Sequence, residues 1–261
     1  MPEYPIILGV YSLAKETQIG LGETAAKRET VTYWYVRQLG EDDFEVQPLN
    51  IYHVPSGVRK EIGSKEFLAT YFPEPHYYKT HTVPALTNLV KRLAQGEKLF
   101  SQGQLSDAEK QFIKALMIDD LNVQATYGLG KVASEQKDEA KLNRVLSSLL
   151  NLTEAFSQEY REQFNGFGIT LRKNKHYENA VRFYSRALEL NALDEHVYFN
   201  MARAYFEKGA LDECMCQLNI ALSIAPEFAE AKKFLAHCQK IRDEQPGAAP
   251  VTIAPPAAGR G

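Results

Sequence analysis

The sequence lacks a charge excess of either sign and a long apolar run. Its 30 basic and 33 acidic residues give a formal net charge of −3, which provides no general attraction to nucleic acid. The longest apolar run, residues 6–14, is interrupted by polar residues and is far shorter than the ~20 residues that span a bilayer. We therefore expect neither nucleic-acid binding nor membrane insertion.

Cysteine is also scarce, and the first residues lack the basic start of a secretory signal, because residues 1–5 contain Glu3 and no Lys or Arg. The odd set of Cys214, Cys216 and Cys238 suits a reducing compartment. Cys214 and Cys216 stand two apart in a predicted helix, so they point to different faces and form no chelating pair. The sequence therefore predicts a cytoplasmic protein with structural thiols.

What is present is an ordinary globular composition, with 44% hydrophobic and 24% charged residues in a chain of 261. That length allows one large or two ordinary domains. Collagen-like, wholly disordered and disulfide-scaffold chains are excluded by this composition.

A repeat organises the second part of the chain. Two segments, ending at Asp194 and Phe228, superpose at an offset of 34 residues, with residues of similar size and polarity at every matched position. A third copy lies 72 residues before the first of them, and a degenerate copy with about four inserted residues fills the gap between them. Apolar spacings of three and four, separated by polar turns, predict two amphipathic helices in each unit.

The positions that recur carry small residues, leucines or aromatic residues. They are Gly96, Leu99, Leu105, Ala108, Phe112 and Ala115 in the first copy; Gly168, Leu171, Tyr177, Ala180, Tyr184 and Ala187 in the third; and Ala202, Tyr205, Leu211, Cys214, Leu218 and Ala221 in the fourth. This pattern and its period resemble the tetratricopeptide repeat. The resemblance implies antiparallel helix pairs stacked in a right-handed superhelix.

The resemblance covers residues 89–243 when the helix after Phe228 is included. In that helix Ala231, Phe234, Leu235 and Cys238 fall on one stripe, which is typical of a capping helix of a solenoid. Residues 244–261 are rich in Pro, Ala and Gly, and we expect this tail to be disordered.

Residues 1–80 have a different character and predict a small β-rich domain that resembles no family we recognise. Alternating runs at 31–39 and 44–49 flank a short turn and predict a hairpin. Residues 4–12 predict a further strand, and Ser64 is expected to cap a short helix. Prolines in residues 73–84 predict an extended linker, with residues 81–88 forming a linker or the start of the first helix.

The fold class is therefore mostly α: about four helix pairs and a capping helix form a solenoid, which follows a small β-rich domain and precedes a disordered tail.

Chemical motifs are weak. Gly20 and Gly22, with Lys27 nearby, invite comparison with a phosphate-binding loop, but the order of the P-loop motif is absent, so a flexible loop is the simpler interpretation. His76 and His81 lie five apart near Glu74, without a third histidine or a cysteine, and ordinary surface histidines explain them. Signatures of serine hydrolases, zinc peptidases and thioredoxins do not occur. We expect no catalytic residue, no metal and no cofactor.

In the family that the chain resembles, the first helices of the repeats line a concave groove whose exposed residues bind peptides. Projection of the helix pattern places a set of amide, arginine and aromatic side chains there. The candidate residues are Asn165, Arg172, Phe199, Asn200, Arg203 and Phe206, with Ile169 beside them. Amides and arginines suit a peptide backbone or a carboxylate, and the phenylalanines suit an apolar anchor. Alternatively, the phenylalanines are buried against the neighbouring helix pair, and Arg172 is a solvated surface residue.

Some family members bind acidic chaperone tails through a clamp of lysine, asparagine and arginine. Glu97 and Gly128 stand where the clamp asparagines are expected, so the full clamp is absent. The sequence predicts a non-enzymatic adaptor or scaffold whose partner carries a carboxylate and an apolar anchor.

Two alternatives remain. The β-rich domain is a ligand sensor or an enzyme with the repeats as its docking arm, or the chain is a self-assembling scaffold that forms a homo-oligomer.

Overall fold

A computed structural model describes residues 3–19 and 26–244. The chain divides into two compact units, residues 1–129 and residues 130–261. The predicted tail, residues 245–261, and the loop glycines Gly20 and Gly22 lie outside the described residues.

The first unit begins with an antiparallel sheet of five strands in the order β4-β3-β2-β1-β5. The strands are β1 (Ile6–Ile19), β2 (Ala26–Gln38), β3 (Asp43–Pro48), β4 (Lys60–Gly63) and β5 (Phe72–Pro73). The predicted hairpin is confirmed, because β2 pairs with β3 from Gln38↔Phe44 to Trp34↔Pro48. The predicted first strand is also present and is longer than expected, because it pairs with β2 along its whole length.

Alternation along the central strands produces the core of this sheet. Val36, Phe44 and Val46 are buried and pack with Ile62 on β4 and with Phe67. Phe44 stacks on Phe67 at a ring-centroid distance of 4.3 Å. Burial of these apolar side chains on one face holds the register of the strands, since a slip of one residue would turn the whole set to solvent.

The short helix after β4 is present as α1 (Ser64–Thr70), but Ser64 is not its cap. The N-cap residue is Gly63, and no side chain accepts a capping hydrogen bond there. Ser64 lies one residue inside the helix, where its side chain is past the position that reaches the free N–H groups of the first turn.

The predicted extended linker is wrong, because its prolines lie where helices tolerate them. Pro75 opens the single turn α2 (Pro75–Tyr77), and a π-helical turn follows at Tyr78–Thr82. Pro84 lies in the first turn of the next helix, α3 (Val83–Ser101). At the start of a helix the missing proline N–H has no intrahelical partner to lose.

The predicted helix pairs and the capping helix are confirmed. They are α3 (Val83–Ser101) and α4 (Leu105–Ile118), α5 (Val123–Gln136) and α6 (Glu139–Asn151), α7 (Arg161–Lys173) and α8 (Tyr177–Leu190), α9 (Glu195–Lys208) and α10 (Leu211–Ile224), and the capping helix α11 (Ala229–Glu244). The inserted residues of the degenerate repeat form two 3-10 helices before α7, at Thr153–Phe156 and Gln158–Tyr160.

The turns inside the pairs share one backbone requirement. Gly103, Lys137, Lys175 and Gly209 all have positive φ, at 74°, 57°, 66° and 87°. They lie 34, 38 and 34 residues apart along the chain. The repeat therefore needs a left-handed residue at this turn, and two of the four copies place a lysine where glycine is favoured.

Candidate peptide-binding groove

The predicted site residues lie on α7 and α9, the first helices of the third and fourth pairs, and both helices belong to the second unit. Arg172 on α7 is 8% exposed and forms an ion pair with Glu207 on α9. From the sequence, we expected Arg172 to be either a cation that binds a carboxylate of the partner or a solvated surface residue. The structure instead shows a mostly buried arginine whose charge is already balanced by a carboxylate of the next repeat.

Arg203 is the second cation of the site, and it lies one helical turn before Glu207. Burial lowers the pKa of its guanidinium, and the neighbouring charge of Arg172 lowers this pKa further, whereas the charge of Glu207 acts in the opposite direction. Arginine remains protonated at neutral pH even so. Among the residues that the structure describes, the Arg203 side chain makes no hydrogen bond and no ion pair. Two guanidinium groups share one carboxylate, so the cluster has a net charge of one positive unit.

Tyr184 on α8 closes the cluster and was not predicted as part of it. Its side chain is 1% exposed, and burial raises its pKa to about 12, although Arg172 and Arg203 act in the opposite direction. The phenol is therefore neutral at pH 7. Close packing holds it there, since a Cβ on Gly168 would lie 2.3 Å from the Tyr184 hydroxyl oxygen.

The two predicted amides are half-buried and unused. Asn165 lies two turns before Arg172 on α7, and Asn200 lies one turn before Arg203 on α9. Within the described part of the chain, neither side-chain amide makes a hydrogen bond. Each amide offers two donors and one acceptor to an approaching peptide backbone.

The two phenylalanines pack against the capping helix and are half-buried. Phe199 lies 5.0 Å from Phe228 and 6.0 Å from Phe234, measured between ring centroids. Phe206 lies 5.1 Å from Phe234 and 5.8 Å from His237. Both rings therefore have a structural role, and their remaining exposed edges are what an apolar ligand group can reach.

His81, one of the two histidines that suggested a metal site, packs against aromatic rings. His81 lies 4.9 Å from His53 and stacks on Tyr77 at 4.6 Å. In residues 3–19 and 26–244, no group of three or more His, Cys, Asp or Glu side chains is placed to hold a metal ion. No described helix has the length and apolarity that crossing a membrane requires.

Glu207 was not predicted as part of the site, although its position in the sequence indicates an interaction with Arg203. It follows Arg203 by four residues and so shares its helix face, where an acid and a base attract each other. From the sequence, Tyr184 was recognised only as a recurring position of the repeat pattern, matched by Leu218 in the fourth copy. Its hydroxyl lies against Gly168 of α7, close enough to Arg172 and Arg203 for their charges to lower its pKa.

Part of this chain is similar to known proteins. Residues 171–238 match a family model described as tetratricopeptide repeat, which confirms the predicted resemblance. Over 93 residues the chain is 30% identical to Hsp70-Hsp90 organizing protein 3 of Arabidopsis thaliana, and the match covers 36% of this chain and 16% of that protein.

Solved structures give weaker likenesses. MamA from Desulfovibrio magneticus RS-1, solved from residue 41 to its end, has a TM-score of 0.42 and 15% identity, covering 60% of this chain and 86% of that one. YrrB, described as a TPR protein with an unusual peptide-binding site, has a TM-score of 0.39 and 22% identity, covering 59% and 78%. TM-scores of this size support no conclusion about function.

Proposed function

We propose that this chain, whose residues 171–238 match the tetratricopeptide-repeat model, is a non-enzymatic adaptor that binds a segment of a protein partner along α7 and α9. The segment carries a carboxylate near an apolar side chain. The adaptor works in the cytoplasm, where its cysteines stay reduced.

One observation carries this proposal: Arg172 and Arg203 share the single carboxylate of Glu207, which forms an ion pair with Arg172 and acts on Arg203 without a hydrogen bond, so the cluster keeps one positive charge in excess. A half-buried cation that no carboxylate hydrogen-bonds is costly, because burial removes water that would otherwise solvate it. A carboxylate from a partner would recover that cost through charge-assisted hydrogen bonds. Glu207 also keeps the site from being a strongly positive patch, so binding requires a matched carboxylate and not merely a polyanion.

The remaining groups complement an extended segment. Asn200, three residues from Arg203, is placed to hydrogen-bond the peptide backbone beside the carboxylate. The exposed edges of Phe199 and Phe206 lie on the same helix, four residues before and three residues after Arg203. An apolar side chain of the partner would pack there and exclude water from the arginine.

The test is a pull-down from native lysate with the wild type and two charge-reversal variants. Arg203→Glu is expected to lose partners at unchanged circular dichroism and melting temperature. Arg182→Glu, which makes the same charge change at an exposed position on α8, is the matched control and is expected to retain them. Equal recovery by all three proteins would move the binding site away from α7 and α9.

A further inference from the structure

The hairpin of β1 and β2 in the first unit extends past the other strands of its sheet. β1 and β2 pair along their whole length, whereas β3 reaches along β2 only to Trp34, and β5 pairs with β1 only at Tyr11 and Ser12. Within the described residues, the segment Leu13–Ile19 of β1 therefore has a neighbouring strand on one side alone. We call its other side the open edge. A two-stranded ribbon is marginally stable in water, so a third strand would stabilise this segment.

The hydrogen bond after β5 shows which backbone groups of β1 point to the open edge. The N–H of Glu74 donates to the carbonyl of Val10 at 2.8 Å, on the side of β1 that faces β5. In an antiparallel ladder the N–H and C=O of one residue point to the same side, and this side alternates from each residue to the next. The register of β1 is regular after Gly9, so the alternation continues to the end of the strand. The outward-pointing residues of the open edge are Ala14, Glu16 and Gln18.

The side chains beside the start of the open edge are exposed and give it a chemical preference. Ala14 and Lys15 are exposed, and Phe72 on β5 is 58% exposed. Phe72 is the partner of Ser12, so it lies on the same sheet face as Ala14, which is two residues further along β1. A strand added at the open edge would continue the row that Phe72 begins. An apolar residue opposite Ala14 would then pack beside the Phe72 ring, and an acidic residue opposite Lys15 would form an opposite-charge pair.

A second copy of this chain suits the open edge less well than a different partner. Two open edges pair as antiparallel strands only with outward-pointing residues opposite each other. The register centred on Glu16 places this residue opposite its own copy, and the register centred on Lys15 places two lysines opposite each other. Like charges directly opposite each other destabilise a strand pair. Charge therefore favours a partner that supplies an acid at Lys15.

We propose that the open edge of β1 binds an extended segment of a protein partner as an added antiparallel strand. The segment carries an acidic residue opposite Lys15, followed by an apolar residue opposite Ala14. Main-chain hydrogen bonds to the outward-pointing residues hold the segment, and these two side chains select it. The inference does not rest on the groove of α7 and α9, so it gives the first unit a docking site of its own.

The probe is the peptide acetyl-Thr-Thr-Thr-Glu-Val-Val-amide, titrated into the full isotope-labelled chain, with amide hydrogen exchange measured by NMR. In the proposed register its Glu lies opposite Lys15 and its first Val opposite Ala14. We expect slower exchange at the amides of Ala14, Glu16 and Gln18, because their N–H groups gain a partner. The amides of Lys15 and Thr17, which point to β2, are expected to keep their exchange rates. Protection that does not alternate along β1, or that is confined to other residues, would overturn the proposal.

Two N-methylated forms of the peptide are matched controls that leave the protein unchanged. Methylation of the third and fifth residues removes N–H groups that face β1 and is expected to abolish the protection. Methylation of the second and fourth residues removes N–H groups that face away from β1 and is expected to preserve it. Equal binding of the two forms would contradict an added strand. Replacement of the peptide's Glu by Lys is expected to weaken binding about two- to fivefold, through loss of the pair with Lys15.

Two proline variants test the same edge from the side of the protein. Ala14→Pro removes an outward N–H but no hydrogen bond to β2, as edge strands tolerate, and is expected to lose the peptide. Val31 is the partner of Ala14, and its N–H points away from β1 on the other side of the ribbon, so Val31→Pro is the matched control and is expected to bind. Equal binding by the two folded variants would refute the assignment of the edge.

Two further measurements separate the open edge from other sites. Arg203→Glu is expected to leave binding of the peptide unchanged, since the groove takes no part in it. Protection of Ala14 is expected to be independent of protein concentration when no peptide is present. A rise of this protection with concentration would assign the edge to a second copy of the chain and overturn the choice of partner.

Discussion

Gly168→Ala tests the packing that places Tyr184 beside the arginines. A Cβ at this position would lie 2.3 Å from the hydroxyl oxygen of Tyr184 and 2.7 Å from its ring carbon Cζ. The ring cannot easily move, because it is 1% exposed and contacts Phe164 at 5.9 Å. One added methyl group therefore overpacks the interface between α7 and α8.

The magnitude follows from two opposing effects. Alanine inside a helix is favoured over glycine by about 1 kcal/mol, whereas overpacking of a rigid core costs about 1–3 kcal/mol. The 2.3 Å approach places this site in the upper part of that range. We expect a net loss of about 1–2 kcal/mol in the free energy of unfolding, measured by urea denaturation of the full chain.

Gly166→Ala is the matched control on the same helix. Its Cβ would meet only Lys131, at 3.8 Å or more, which is an ordinary contact. Helix propensity acts alone there, so this variant is expected to gain up to about 1 kcal/mol. The two alanines, two residues apart, should thus change stability in opposite directions.

The fourth repeat supplies the rescue. Ala202 and Leu218 occupy the positions that Gly168 and Tyr184 occupy 34 residues earlier, so the small residue is larger where its partner is smaller. The double variant Gly168→Ala/Tyr184→Leu copies this solution and is expected to be more stable than the sum of the single changes by about 1 kcal/mol or more. If Gly168→Ala is stabilised like Gly166→Ala, the packing argument is wrong.

Three further predictions rest on single features. Lys175 has a φ of 66°, so Lys175→Gly is expected to raise the free energy of unfolding by up to about 1 kcal/mol; an unchanged urea midpoint would count against strain at this turn. Cys216 is half-buried, whereas Cys214 and Cys238 are buried with Sγ atoms 3.6 Å apart and with thiol pKa values raised by burial. A thiol reagent should therefore modify Cys216 first and the other two only on unfolding, as mass spectrometry would show; equal rates would refute this. Burial alone would raise the pKa of Asp194, but its ion pair and its helix-cap hydrogen bond hold this pKa below the usual value. Its contribution is therefore complete above about pH 4 and is lost as the pH falls through the lowered pKa, so Asp194→Asn should lose less stability than the wild type between pH 7 and pH 3.

The helix pairs could be predicted because their signal is repeated. Small residues such as Gly96 and Gly168 recur at the closest helix contacts, and the structure packs Phe112 and Tyr184 against them. A packing requirement that recurs in several repeats can be recognised in a single sequence. The hairpin of the first unit could also be predicted, from the alternation of apolar residues on both sides of a turn.

The segment with Pro75 and Pro84 was mispredicted because proline has two opposite effects on helix formation. It disfavours helix in the residue before it, but it suits the first turn of a helix. Which effect prevails depends on whether the segment packs as a helix. Here Tyr77 stacks on Tyr33 of β2 at 4.0 Å. The segment is too short to show a helical periodicity from which this packing could be predicted.

From the sequence, only the helix face that carries the site could be predicted, and not the ion pair within it. Helical spacing placed Asn200 and Arg203 together, but the ion pair that neutralises Arg172 joins residues 35 positions apart on different helices. Such a pairing depends on how far α9 is shifted along α7. A single sequence does not specify that shift.

Site-specific photo-crosslinking tests the central proposal most directly. A photoreactive amino acid is placed at Asn200 in one protein and at Arg182 in another, and each is incubated with extract of the native source. We expect a crosslinked partner from position 200 alone, attached through a segment that contains an aspartate or glutamate beside an apolar residue, and we expect its loss when Arg203→Glu is added. Crosslinks of equal yield from position 182, or a crosslink at 200 that persists in the Arg203→Glu background, would contradict binding of a carboxylate at this groove.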